Sequence, residues 1–228
     1  MIGFETRGAV AILTLDNGRL NILTRPMHER LLRALLQFLR DDTLKVAVLT
    51  CKPGTSFSAG DDLKTIDDPY GSEPDWEELV MLLPRAKPVI GAVRGHCVAQ
   101  GLIYLLMLTE LRYCTPDASF GFPEIRHGMG GASALTNLAR QIPYTVAMQM
   151  VLTGQPLAAE AAKACYLVND IVADDQLLDH ALTVAARIAE HPLAALKAEL
   201  WPVGREGQLG RAEAIAHFST LWDIQRRS

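Results

Sequence analysis

The sequence lacks several features that would place it in particular classes of protein. No uncharged apolar segment reaches the ~20 residues that cross a bilayer, so we expect no membrane span. The net charge is −4 and no basic run is present, which argues against nucleic acid as a partner. The amino-terminal stretch MIGFETRGAVAILTL has no basic leader region, so no signal peptide is expected. These absences predict a cytoplasmic protein.

Cysteine is scarce, and no metal-ligand pattern is evident. The cysteines are scattered in apolar surroundings, which predicts buried, reduced thiols and neither disulfides nor a cysteine metal site. They are Cys51, Cys97, Cys114 and Cys165. The adjacent carboxylates Asp61 and Asp62 do not predict a metal either, because no third ligand lies near them in the sequence. We therefore expect no metal and no bound cofactor.

What is present is the composition of an ordinary globular protein. The 228 residues, 49% hydrophobic and 21% charged, allow one large domain or a domain with a small appendage. Predicted strands at residues 9–15, 45–51 and 87–93 alternate with helices, one of them marked by Met27, Leu31, Leu35 and Leu39 at helical spacing. This alternation indicates an α/β fold built from crossover units. A dinucleotide-binding fold fits poorly, because no G-x-G-x-x-G opens a helix after the first strand.

Helices dominate the later part of the chain. Residues 98–111, VAQGLIYLLMLTEL, are almost wholly apolar and predict a helix in the core. A short helix is predicted at 75–83, and further helical segments at 157–166, 176–191 and 210–224. The polar stretch DDPYGSEPD at 67–75 predicts a mobile loop, and PVGREGQLG at 202–210 predicts a hinge before a terminal helical segment.

Three segments in order carry a resemblance to a known family. VAVLTC with SFSAGDDLK, then PVIGAVRGHCVAQGL, then DASFGFPEIRHG, resemble the enoyl-CoA hydratase/isomerase (crotonase) family, most strongly over residues 46–128 and weakly over 150–172. The resemblance implies a crotonase-like spiral of strand-strand-helix repeats (1–190) with a C-terminal helical trimerisation segment (191–228). It also implies a homotrimer or dimer of trimers and an acyl-CoA thioester substrate, coenzyme A being part of that substrate. The motifs are specific for the fold and not for the reaction.

The small-residue loop at 56–61 then acquires a role. Rigid main-chain N–H groups stabilise a developing oxyanion well, and small residues let a loop approach a ligand closely. The resemblance implies that the N–H of Asp61 is one donor and that the second comes from Gln100 or Gly101, depending on which end of the segment is matched. It also implies coenzyme A contacts at Ala59 and Lys64. Lys64 is equally well explained as a solvated surface charge. Asp62 is expected to hydrogen-bond loop N–H groups or to cap the following turn.

The acid–base groups are fewer than a hydratase of this family uses. Glu124 in FGFPE matches one of the two glutamates, whereas the second position falls on Ile103 or Tyr104. One carboxylate suffices to move a proton between two carbons, so isomerase-like chemistry is favoured over two-glutamate hydration. Phe122 and His127 are further possible pocket residues, together with Tyr104.

Non-catalytic interpretations also fit the sequence. Glu124 also fits a helix-start acid or a surface ion pair with Arg126. The chain as a whole also fits a catalytically inactive acyl-CoA-binding or assembly subunit, or a scaffold that binds no ligand.

Overall fold

The computed structural model describes residues 1–65 and 73–204, and all of the elements below lie within them. The strands are β1 Ile2–Arg7, β2 Val10–Leu15, β3 Val46–Cys51, β4 Val89–Val93, β5 His96–Val98, β6 Leu111–Cys114, β7 Ser119–Gly121, β8 Leu157–Ala158 and β9 Asp170–Ile171. The α-helices are α1 Arg25–Arg40, α2 Trp76–Leu82, α3 Gln100–Leu108, α4 Ala132–Leu135, α5 Leu138–Gln141, α6 Tyr144–Thr153, α7 Ala159–Ala164, α8 Leu177–Ala189 and α9 Leu193–Gly204. A 3₁₀ helix covers Pro123–His127.

The strands form two sheets. The larger has the order β1-β2-β3-β4-β6-β9, in which β1 and β2 are an antiparallel hairpin and every other pair is parallel. The smaller has the order β5-β7-β8. Because β4 leads into β5 after only two residues, the chain passes directly from the large sheet to the small one.

The central strands are buried on both faces, which explains their continuous apolar sequence. Ala47 and Leu49 of β3 pack in the main core, to which α1 and α3 also contribute. Val46 and Val48 pack in a second core cluster with the apolar face of α8. The sheet is thus sandwiched between helices, and one face of β3 borders the layer from which the candidate site is built.

Several sequence-based boundaries need correction. The first strand was missed, because a hairpin was not expected before the crossover units. The predicted helix at 98–111 is shorter: α3 ends at Leu108, since Thr109 is extended and Leu111 pairs with Ile90 of β4. The predicted helix at 157–166 begins as strand β8, where Leu157 pairs with Phe120. In the predicted hinge, residues 202–204 belong to α9.

Other predictions are confirmed or lie outside the described residues. All four cysteines are free and buried. No helix in the described part of the chain is long and apolar enough to cross a membrane. Residues 66–72, which contain most of the predicted mobile loop, and the predicted helix at 210–224 lie outside the described residues. The division at residue 190 stays a prediction, and α9 begins just beyond it.

Candidate active site

The loop at 56–61 runs beside β5 as an extra extended segment. Ser58 pairs with Cys97 in a parallel bridge, where the Ser58 N–H donates to His96 O at 2.9 Å and the Val98 N–H donates to Ser58 O at 3.0 Å. Asp61 and Gln100 lie equally far along their segments from this bridge. The pairing therefore brings the end of the loop next to the first residue of α3.

Gly60 brings the two turns into direct contact. It has φ +96°, and a Cβ added there would lie 2.7 Å from Ala99 Cβ and 3.6 Å from Gln100 N. Ala99, which precedes α3, has φ 52° and ψ −130°, a conformation that side chains with a Cβ rarely adopt. The approach requires glycine at position 60 and holds Ala99 in a strained backbone.

The two facing turns present main-chain donors. Within the described residues, neither the Asp61 N–H nor the Gln100 N–H donates a hydrogen bond. The Asp61 peptide is nevertheless fixed on both sides, because the Leu23 N–H donates to Gly60 O at 2.9 Å and the Asp62 N–H donates to Leu23 O at 3.0 Å. Gln100 is the first residue of α3, where unpaired N–H groups and the helix dipole favour negative charge. Two such donors form a site suited to an anionic oxygen.

Gly101 faces a different neighbour. A Cβ added there would lie 2.7 Å from Ser58 Cβ and 3.0 Å from Ser58 O. Its lack of a side chain is explained by close packing of α3 against the loop, whereas Gln100 N is the atom near Gly60.

The buried side-chain amide of Asn21 holds the loop in place through hydrogen bonds. Asn21, fully buried, donates through Nδ2 to Leu15 O and at 2.8 Å to Ser56 O, and it accepts at Oδ1 from the Asn17 N–H. Ser58 Oγ donates to Asn21 O at 2.9 Å and accepts from the Gly60 N–H at 3.0 Å. The segment before α1 and the loop are therefore joined by one hydrogen-bonded network.

Glu124 lies in the first turn of the 3₁₀ helix, with one carboxylate oxygen unpaired. Its Oε2 is buried and has no hydrogen-bond partner. Burial raises the pKa of Glu124, the charge of Asp61 raises it further, and a hydrogen bond to its own backbone and the nearby His127 oppose the rise. Glu124 does start a helix, but it forms no ion pair with Arg126 among the described residues. A carboxyl group held in this way is a candidate acid–base catalyst.

A cluster of polar side chains adjoins Asp61. The buried His28 of α1 places Nδ1 2.6 Å from Tyr104 Oη and Nε2 3.4 Å from Asp61 Oδ1. Burial, with the negative charge of Asp61, raises the pKa of Glu77 to about 7, and His28 opposes this rise. Tyr104 is therefore linked through His28 to the side chain of Asp61.

The remaining predicted residues lie around the site or away from it. Phe122 is buried immediately before the 3₁₀ helix, whereas His127 is exposed. Ala59 is half-buried and its N–H donates to Leu20 O at 2.9 Å. The Lys64 side chain is exposed, and its N–H donates to Asp62 Oδ1 at 3.1 Å, which confirms the loop-bonding role predicted for Asp62.

Sequence reasoning missed three residues of this region: Asn21, His28 and Glu77. His28 had a usable signal, because it lies between Met27 and Leu31 on the apolar face of α1, where a histidine is unusual. Asn21 carried only a turn signal, although its φ of 45° is typical of asparagine. Glu77 had none, since its partners are distant in sequence.

Comparisons with known proteins agree with one another. The model of the enoyl-CoA hydratase/isomerase family matches residues 5–201. Carnitinyl-CoA dehydratase from Shigella flexneri is 30% identical over 94% of this chain and 87% of its own length. (E)-benzylidenesuccinyl-CoA hydratase from Thauera aromatica is 29% identical over 99% of this chain and 90% of its own.

Solved structures show the same likeness. Enoyl-CoA hydratase subunit I from Geobacillus kaustophilus superimposes with a TM-score of 0.88 at 28% identity, covering 100% of this chain and 90% of the other. Enoyl-CoA hydratase from Mycobacterium tuberculosis H37Rv gives a TM-score of 0.85 at 30% identity, covering 96% and 88%. The predicted crotonase-like fold is thereby confirmed. Sequence, fold and facing turns lead to one conclusion: the chain belongs to the enoyl-CoA hydratase/isomerase family.

Proposed function

We propose that the protein converts an acyl-CoA thioester through an enolate, using the N–H groups of Asp61 and Gln100 as the oxyanion hole and Glu124 as the proton carrier. One observation carries the proposal. Among the described residues, two main-chain donors on adjoining turns have no acceptor, and a buried oxygen of Glu124, whose pKa is raised partly by the charge of Asp61, has no partner. Buried polar groups in folded proteins are nearly always paired, so unpaired groups gathered in one region indicate that a ligand completes them.

The reaction follows from Glu124 being the one carboxylate at the two positions where hydratases of the family carry glutamates. With a 3-enoyl-CoA, ionised Glu124 removes a proton from Cα, and the electron pair moves onto the thioester oxygen held by the two N–H groups. The carboxylic acid so formed returns the proton to the γ carbon, and the double bond moves from the β,γ to the α,β position. Burial supports this role, because it raises the pKa of Glu124 toward the working pH of a general base.

Hydration is the second candidate, and the names of the two curated relatives favour it, since one is a dehydratase and the other a hydratase. Addition of water requires a second group to deliver or remove a proton. Ile103 is apolar and buried, and Tyr104 engages His28, so neither supplies a second carboxylate. This difference supports isomerisation over hydration.

The direct test supplies purified protein with a 3-enoyl-CoA and, separately, with a 2-enoyl-CoA. We expect isomerisation of the first and little hydration of the second. Glu124→Gln lowers kcat by about 10²–10⁴-fold and leaves acyl-CoA binding by calorimetry nearly unchanged. Glu160→Gln, an exposed site on α7, serves as the matched control. Tight acyl-CoA binding without turnover of either substrate would instead identify an acyl-CoA-binding or assembly subunit.

We also propose that the protein is cytoplasmic and assembles as a homotrimer or a dimer of trimers. Residues 191–228 form the contact between subunits. Ala59 and Lys64 contact the coenzyme A part of the substrate, while Phe122, Tyr104 and His127 lie toward its acyl part. Light scattering after size-exclusion chromatography measures the subunit number, and removal of residues 191–228 is expected to reduce it to one.

A further inference from the structure

Three potential metal ligands from separate elements meet beside the oxyanion loop. His28 of α1, Asp61 of the loop and Glu77 of α2 each offer one ligand atom, and these atoms all lie within 4.8 Å of one another. No element brings more than one of them, so the cluster is a product of the tertiary fold. It also supplies the third ligand that is not evident near Asp61 in the sequence.

The histidine is oriented as a metal-ligating histidine usually is. The His28 side chain is 5% exposed, and its Nδ1 lies 2.6 Å from Tyr104 Oη with the two rings in an edge-to-face arrangement. If Nδ1 carries the proton, the lone pair of Nε2 points toward Asp61. Ligating histidines commonly donate their other ring N–H in this way, which fixes the tautomer and the ring orientation.

The spacing of His28 and Asp61 is also the spacing of two ligands of one ion. Nε2 and Asp61 Oδ1 are 3.4 Å apart, within ion-pair distance, and Oδ1 is buried and accepts no hydrogen bond from the described residues. Two ligand atoms on a tetrahedral zinc ion, each about 2.1 Å from the metal, are separated by about 3.4 Å. The unpaired oxygen and this separation describe one contact, and both are compatible with an ion bound between the two side chains.

We propose that His28, Asp61 and Glu77 bind one divalent transition-metal ion of the zinc type, with a fourth position open to water. One imidazole nitrogen and two carboxylates suit zinc better than magnesium or calcium, which prefer oxygen ligands alone. With neutral His28, the two carboxylates balance the two positive charges of the ion. The ion ties α1, the loop and α2 together.

One consequence rests on the proposed function. The Asp61 N–H faces the developing enolate while the carboxylate of the same residue carries a negative charge, which disfavours a second negative charge nearby. A bound divalent cation neutralises Asp61 and Glu77 together. The metal therefore adjusts the electrostatics of the oxyanion hole without contacting the substrate.

The test uses the full-length protein after dialysis against a chelator, and needs no acyl-CoA. Zn²⁺ is titrated in competition with a chromophoric chelator, and Co²⁺ binding is followed by visible absorption. We expect one equivalent of Zn²⁺ and the intense absorption of tetrahedral Co²⁺. Glu77→Gln and Asp61→Asn weaken Zn²⁺ binding by more than about 100-fold, and Tyr104→Phe, which loosens His28, by about 10-fold.

Glu78→Gln is the matched control, because Glu78 is the exposed neighbour on α2 and should bind Zn²⁺ as wild type does. Circular dichroism checks that each variant is folded. Glu77 is substituted in preference to His28, because His28 is buried and its replacement could prevent folding. Absence of Zn²⁺ binding, equal affinity in Glu77→Gln and wild type, or a weak octahedral Co²⁺ spectrum would each overturn the proposal. Because no reaction is measured, these outcomes are independent of whether the protein isomerises acyl-CoA.

Discussion

The contact between Gly60 and Ala99 is the most direct test of how the two turns create the site. A Cβ at position 60 would lie 2.7 Å from Ala99 Cβ, a distance that real Cβ atoms essentially never show. Gly60→Ala should therefore push the turns apart and displace the N–H of Asp61, even though no functional group is removed.

The size of the effect has two parts. Placing an L-residue at φ +96° costs about 1–2 kcal/mol, and overpacking the contact costs about 1–3 kcal/mol. Gly60→Ala should thus lower the free energy of unfolding by about 2–5 kcal/mol. Only the second part depends on the Ala99 side chain, so Ala99→Gly should raise stability by about 1–3 kcal/mol more in the Gly60→Ala chain than in wild type.

Ala99→Gly alone is informative as well. It releases a backbone strain of about 1–3 kcal/mol, which greater freedom of the unfolded chain offsets by about 1 kcal/mol. The single variant should therefore match wild type or exceed it in stability. Urea unfolding of all four proteins gives the double-mutant cycle, and the kcat on a 3-enoyl-CoA measures the site in parallel.

One result of the double-mutant cycle would refute this reasoning. If the two substitutions are additive in stability within about 0.5 kcal/mol, the contact between the turns does not carry the energy assigned to it. Full turnover in Gly60→Ala would likewise show that catalysis does not depend on the spacing of the Asp61 and Gln100 N–H groups.

Four further predictions concern the acid–base group, the support of the loop and the coenzyme A end of the site. The pKa of Glu124 is raised and its carboxylate is the proposed base, so kcat should fall as the pH decreases through a value above the pKa of an ordinary glutamate. A pH profile of kcat that falls only at the ordinary pKa would contradict the assignment. The raised pKa also means that ionised Glu124 destabilises the folded state. The free energy of unfolding that Glu124→Gln gains over wild type in urea should therefore grow as the pH rises from the pKa of Glu124 in the unfolded state through its pKa in the folded state. A difference in free energy that does not change with pH would refute this. Asn21→Ala removes the buried amide that supports the loop and should lower the free energy of unfolding by about 1–3 kcal/mol together with kcat, whereas loss of stability without loss of kcat would show that the network does not position the donors. Lys64→Ala should raise KM at low salt for a coenzyme A thioester and not for a pantetheine thioester that lacks the nucleotide phosphates; an equal rise for both would exclude a phosphate contact.

The predictable part of this protein follows local chemistry. The apolar run of β3 and the small residues of the following loop predicted the strand and the turn, because both depend on residues adjacent in sequence. The loop-bonding role of Asp62 was predictable for the same reason. The family resemblance supplied the order of the motifs and, with it, the fold.

The unpredicted part depends on contacts between distant residues. Leu111, two residues after Thr109, pairs with Ile90 of β4, so tertiary pairing ends α3 although the apolar pattern continues. Glu77 becomes significant only because α2 brings it to His28 and Asp61. Whether Gln100 or Gly101 faces Gly60 was likewise undetermined, because one-residue differences in alignment cannot be separated without the positions of the backbones.

The two donor peptides belong to segments that are distant in sequence and are aligned by the pairing of Ser58 with Cys97. No fragment ending before β5 contains both, so a nascent chain of that length cannot form the oxyanion hole. Recovery of turnover after refolding should for this reason trail behind the appearance of helix, and coincide with consolidation of the sheets. The recovery of enzymatic activity would then report the rate of the slowest, long-range step in folding.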